Sequence, residues 1–288
     1  MPSPASHDFS GLWIPLVTPF DRGAIDHAAL RRLVAHLAPA GIAGFVVCGS
    51  TGEAAALDDD EQLDVLDTVL GCDSGLPVLM GLAGNHRPSL LAQLRRCVQR
   101  PIAGLLAPAP YYVRPSQRGL VEHFLALADA SPVPLVLYDI PYRTAVAIEL
   151  DSFRRLAEHP RIVAVKDCGG SPEKTQTLIA EGRLQVLAGE DAQIFGTLCQ
   201  GGHGAIAAAA HLHTERFVAM CRAVGRGQLA EARALHHALA PVIRLLFAEP
   251  NPAPLKAVLA RQGLIGEELR PPLTPATPAL VDRLVALG

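Results

Sequence analysis

Lysine is scarce in this chain: of 25 lysine and arginine residues, only Lys166, Lys174 and Lys256 are lysines. The solvated cationic surface is therefore arginine, and a lysine following an apolar run stands out against it. Other absences exclude whole classes of function. No basic run occurs and the formal charge is −3, which leaves no electrostatic footprint for nucleic acid and nothing that favours an anionic membrane. No apolar run is long enough to span a bilayer. Met1 to Ser10 lack a cationic stretch followed by an apolar core, so no secretory leader is expected. The six cysteines (Cys48, Cys72, Cys97, Cys168, Cys199 and Cys221) fall at no C-x-x-C spacing, which fits free thiols in a reducing cytoplasm better than a disulfide framework. The dinucleotide turn G-x-G-x-x-G and the hydrolase elbow G-x-S-x-G are both missing. His211-x-His213 and His236-His237 have no third ligand at usable spacing, so no metal is expected.

What is present is a long alternation. Half of the 288 residues are hydrophobic, enough to bury a large core without disulfides or metal. Short β-rich apolar runs recur at Leu12 to Val17, Ala43 to Cys48, Pro77 to Met80, Ile102 to Ala107, Pro134 to Tyr138, Ile162 to Lys166, Leu184 to Ala188 and Gly204 to Ala207. Between them lie stretches of helical period such as Ala28 to Leu37, Glu61 to Leu70, Leu90 to Gln99 and Leu120 to Ala128. About eight strand-helix units predict a closed parallel TIM (β/α)8 barrel over residues 1–224, an α/β fold. Beyond it the pattern is helical only, giving a C-terminal helical extension over 225–288 with no identifiable chemistry. Glycines at Gly201-Gly202-His203-Gly204 fit a tight turn better than a phosphate cradle, there being no other sign of phosphate.

Active residues of such a barrel gather at the C-terminal ends of its strands. That rule selects Lys166 at the end of the sixth run, Tyr138 at the end of the fifth, Tyr112 just beyond the fourth, and the turn Gly49-Ser50-Thr51-Gly52-Glu53 after the second. An amine partly removed from water resists protonation, and its neutral form can attack a ketone. Lys166 is placed for that role, although a solvated lysine paired with Asp167 reads equally well from the run alone. Tyr138 is the first candidate for a proton shuttle beside the nitrogen, relayed through Thr51 and Tyr112. A strand-capping aromatic is the competing reading. A 2-oxo acid also brings a carboxylate, for which the Gly49 to Gly52 turn, entering a helix, can offer backbone amides.

The motifs Gly49-Ser50-Thr51-Gly52-Glu53, Pro110-Tyr111-Tyr112-x-Arg114-Pro115, Tyr138-x-Ile140-Pro141-x-Arg143-Thr144 and Val165-Lys166-Asp167 occur in one order and spacing. By these the chain resembles the superfamily of dihydrodipicolinate synthases and N-acetylneuraminate lyases, from about Leu12 into the Pro-rich tail. The resemblance implies a class I aldolase-type lyase in which Lys166 forms a Schiff base with pyruvate and Tyr138 exchanges protons near the imine. It further implies a relay through Thr51 and Tyr112, Ser50 and Thr51 beside the pyruvate carboxylate, and Gly189 and Ile206 lining the site. Tyr111 would reach across a dimer interface within a homotetramer, and no metal or organic cofactor is implied.

Arg143 matches the arginine that receives the carboxylate of L-aspartate-4-semialdehyde in the synthases, a role suited to a bidentate guanidinium. This favours the synthase of lysine and diaminopimelate biosynthesis. Two departures keep other readings open. Asp139 stands where the synthases commonly have Asn, and Tyr142 where they have a small residue. Asp59, Gln62 and Ser89 replace the polar and acidic residues found at matching positions in lysine-inhibited members, which argues against lysine feedback. The alternatives are a paralogous aldolase or dehydratase acting on N-acetylneuraminate, a 2-keto-3-deoxy sugar acid or another hydroxy-oxo acid, and a non-catalytic binder of 2-oxo acids.

Overall fold

The computed structural model describes residues 8–287, so the first seven residues of the segment read as leader-free lie outside the described residues. Eight parallel strands close into a barrel. They run Gly11–Pro15, Gly44–Val47, Val78–Gly81, Gly104–Pro108, Leu135–Asp139, Ile162–Asp167, Gln185–Ala188 and Gly204–Ile206, within a few residues of the apolar runs that predicted them. The first strand pairs with the second and the eighth, so no edge is left open.

Side chains alternate along each strand and divide the core in two. Val46, Leu79, Leu106, Val136, Ala164, Leu187 and Ile206 pack inside the barrel, closed below by Phe9 and Trp13. Their neighbours Phe45, Val47, Met80, Leu105, Leu135, Leu137, Val165 and Val186 face the surrounding helices. Tyr138 and Cys168 share the parity of Val136 and Ala164 and belong to the inner set. Lys166, two residues from each of Ala164 and Cys168, falls on that same inner face.

The helices expected near 28–37, 61–70, 90–99 and 120–128 are His27–Leu37, Asp59–Leu70, Arg87–Cys97 and Gln117–Ala130. The second opens on a capping box in which Asp58 accepts from the amides of Asp60 and Glu61, while Glu61 accepts from the Asp58 amide. After the barrel come Leu229–Leu246, Ala253–Arg261 and Pro278–Val285. No helix among the described residues is long and apolar enough to cross a membrane. Gly201 and Gly202 donate to Leu198 and Thr197 and close the helix Ile194–Cys199, which places that glycine run in a tight turn before the eighth strand.

Candidate active site

Tyr138 and Lys166 are paired across adjacent strands. Leu135 sits opposite Ile162, and from there equal steps would set Tyr138 beside the outward-facing Val165. A register shift between Leu135 and Val136 instead brings the two inward-facing residues side by side. The Lys166 amine then lies 4.3 Å from the centroid of the Tyr138 ring. Lys166 is 5 % exposed, and burial holds its pKa below the usual lysine value, opposed in part by Cys168, Asp191 and Glu190. Burial likewise pushes the Tyr138 phenol well above its usual range, with a hydrogen bond from Ser50 acting in the other direction. Gly189 leaves room for the lysine stem: a Cβ there would come within 2.9 Å of Lys166 Cγ and nearer still to Cys168 Sγ.

Lys166, Tyr138, Ser50, Thr51, Arg143, Gly189 and Ile206 line one cavity of about 420 Å³ at the C-terminal mouth. The structure distributes their contacts differently from expectation. The hydroxyl on Tyr138 is that of Ser50, while Thr51 Oγ1 accepts from Asn251 Nδ2 at 3.0 Å. Gly52 and Glu53 donate back to Gly49 and Ser50 within the turn, which confines the amides available to a carboxylate to those of Ser50 and Thr51. A 3-10 turn, Ala54–Ala56, separates this segment from the helix it was expected to enter directly.

The two tyrosines after the fourth strand differ sharply. Tyr111 borders a second, mostly apolar cavity of about 250 Å³ shared with Ser50, Tyr138 and Arg143, and its carbonyl accepts from Asn85. Tyr112, with a positive φ of 69°, is 89 % exposed and lines neither cavity. Within one chain the expected relay through Tyr112 is not assembled, and Tyr111 is the one beside the site.

Four participants escaped the sequence reading. Glu190 and Asp191 follow Gly189 at the mouth of the seventh strand and face the cavity. Asp191 is fully buried, accepts from the Ala209 amide at 2.6 Å, and has its carboxyl pushed up to about 7, chiefly by burial. Asn251, from the extension read as chemically silent, lines the cavity and holds Thr51. Lys174 pairs with the fully buried Asp139 side chain. Asp139 Oδ1 also accepts from Ile148 N at 3.0 Å, and Lys174 Nζ donates to Ile148 O at 3.2 Å. The residue that departs from the synthase pattern is thus matched by one of the three lysines, and the pair anchors the far end of the segment carrying Tyr142 and Arg143. Strand-end position signals Glu190 and Asp191, whereas nothing local marks Asn251.

Neither histidine pair gathers a metal site, and no group of three or more candidate ligands occurs among the described residues. His211 is buried with Nδ1 against Ala208 O, and His236 stacks on Phe195.

Residues 8–287 match the model of the dihydrodipicolinate synthetase family. The chain is 39% identical over 278 residues to 4-hydroxy-tetrahydrodipicolinate synthase 2 of Clostridium acetobutylicum, covering 95% of this chain and 97% of that protein. A dihydrodipicolinate synthase from Aquifex aeolicus superposes with a TM-score of 0.94 at 30% identity, over 97% of each chain. The chloride-inhibited dihydrodipicolinate synthase from Acinetobacter baumannii complexed with pyruvate superposes with a TM-score of 0.93 at 30% identity, covering 96% of this chain and 97% of that one.

Proposed function

The chain belongs to the dihydrodipicolinate synthetase family, and from that membership we propose that it is a Schiff-base lyase, a 4-hydroxy-tetrahydrodipicolinate synthase, in which Lys166 is the nucleophile toward pyruvate. The observation that carries the assignment of Lys166 is its buried amine, lowered in pKa and paired in register with Tyr138. The neutral amine adds to the pyruvate C2 carbonyl, and loss of water gives the imine. Tyr138, linked to the Ser50 hydroxyl, supplies and removes protons during dehydration and the loss of a C3 proton that forms the enamine. The enamine carbon attacks the aldehyde of L-aspartate-4-semialdehyde, whose carboxylate Arg143 receives. The acceptor's own amine then closes onto the imine carbon and releases Lys166.

Pyruvate is held as a covalent adduct, with no organic cofactor. Exposed as it is, Tyr112 joins the relay when a second copy brings its tyrosine over the mouth. The dimer-of-dimers homotetramer implied by the resemblance is part of this proposal. So is a cytoplasmic address, which fits the free state of all six cysteines.

The test is borohydride reduction in the presence of pyruvate, followed by peptide mapping. A reduced adduct on the Lys166 peptide is expected, and Lys166→Ala should lose both the adduct and turnover. Retention of full activity by that variant sinks the assignment. Faster turnover of N-acetylneuraminate or a 2-keto-3-deoxy sugar acid than of aspartate semialdehyde would move the chain to the sugar-acid reading.

A further inference from the structure

Three carboxylates line the cavity beside Lys166 and Arg143: Glu190, Asp191 and Glu249. Two are committed within the protein. Asp191 accepts from the Ala209 amide, and Glu249 accepts from Thr277 through both oxygens, the backbone amide at 2.9 Å on one and the hydroxyl on the other. Glu190 is different: its Oε1 is buried and has no hydrogen-bond partner, and the carboxylate is met only by the Tyr142 hydroxyl and the Cys168 thiol, with no charged donor among the described residues. A buried carboxylate oxygen left unpaired carries a substantial desolvation penalty, so a donor is needed there. Arg143 faces the same cavity and forms no ion pair among the described residues, its guanidinium lying only against the Tyr142 ring at 5.9 Å. One cavity is therefore lined by a cation and an anion that form no ion pair among the described residues, together with Lys166.

We propose that Glu190 is a specificity-determining residue that binds the α-ammonium of the acceptor while Arg143 holds its carboxylate, so that the site selects a zwitterionic α-amino-acid aldehyde. A sugar acid has hydroxyls and no ammonium, and leaves the Glu190 oxygen without a charged donor. An aldehyde acid lacking the amino group satisfies Arg143 alone. Sites built around a charged hydrogen bond discriminate strongly against analogues that lack the donor, because the buried partner is left unpaired. Tyr142, whose phenol is pushed up by burial with Glu190 among the further causes, stands next to this subsite. The bulky residue that departs from the synthase pattern thus forms one of its walls.

The inference rests on the synthase reading above, and the experiment separates the two. Turnover of aspartate semialdehyde is measured for wild type and Glu190→Gln, alone and with succinate semialdehyde as a competing ligand, which keeps the carboxylate and aldehyde but has no amino group to close onto the imine and release Lys166. Borohydride trapping on Lys166 serves as the control. Glu190→Gln should raise KM for aspartate semialdehyde at least about tenfold while Ki for succinate semialdehyde stays the same; trapping on Lys166 persists, with its rising limb carried to lower pH because Glu190 also raises the Lys166 pKa. An equal rise for both aldehydes, or no rise for either, overturns the ammonium role. If Glu190→Gln does not fold, Glu190→Asp carries the test, with the same selective loss at smaller size. Wild-type protein that traps pyruvate yet does not turn over aspartate semialdehyde overturns the synthase reading and this subsite with it.

Discussion

Asp191 shows how one buried group bears on both stability and rate. Its carboxyl, raised to about 7 in the fold, prefers to be protonated there more than in the unfolded chain, where the value is near 3.8. The stability it lends is complete below the unfolded value and is lost as pH rises through about 7. Asp191→Asn keeps an acceptor for the Ala209 amide and removes the titration. Its melting temperature should therefore gain on wild type as pH is raised from 4 to 8, as calorimetry would show. The same charge raises the Lys166 pKa, so its removal should carry the rising limb of borohydride trapping to lower pH. A limb that stays put would break the electrostatic link between the two residues. Strand-end position, a local property, singled out Lys166 and Tyr138, which line one cavity; Arg143, which lines it too, entered only through the resemblance. The sequence could not choose Ser50 over Thr51, since adjacent hydroxyls on a tight turn point different ways only once the turn's own hydrogen bonds are formed.

At the scale of elements, the helix Pro172–Glu181 clamps the two strands that carry the chemistry. Lys174 reaches Asp139, next to Tyr138, and Thr175 reaches Asp167, next to Lys166. Lys174→Met leaves the fully buried Asp139 carboxylate without its cation, and should cost about 3–5 kcal/mol in urea unfolding. Because both backbone groups of Ile148 are held by this pair, KM for the aldehyde should rise more than KM for pyruvate. The double variant Asp139→Asn with Lys174→Met removes the charge from both sides and should recover most of the stability. No recovery would show that the lysine acts through packing alone. The composition hinted at this, since each of three lysines in an arginine-rich chain invites an explanation, but partners 35 residues apart are not paired by any local rule.

Across the whole molecule, the extension is tied to the catalytic turn by a second buried pair. Lys256 Nζ donates to Glu53 Oε1 at 2.7 Å and to Thr18 O at 2.8 Å, with both side chains closed to solvent. Glu53 Oε2 accepts from Arg270 N, so two parts of the extension grip the residue that ends the Gly49 to Glu53 turn. Lys256→Met should cost about 3–5 kcal/mol and lower turnover through Ser50 and Thr51, whereas Lys256→Met with Glu53→Gln should regain much of the loss in the same unfolding measurement. An unchanged midpoint for the single variant would show that the extension is not coupled to the barrel in this way. By itself the sequence determined the eight-strand alternation and the residues at the strand ends, because short apolar runs and the 3.6-residue period are written locally, whereas strands buried on both faces carry no two-residue pattern to tell inner from outer. Only the tertiary structure decided that Tyr138 stands beside Lys166, that Asn251 holds Thr51, that Lys174 matches Asp139, and that Tyr112 lies outside the cavity. Those outcomes depend on one register shift and on contacts between segments 35 to 200 residues apart, which closure of the barrel sets and no local pattern encodes.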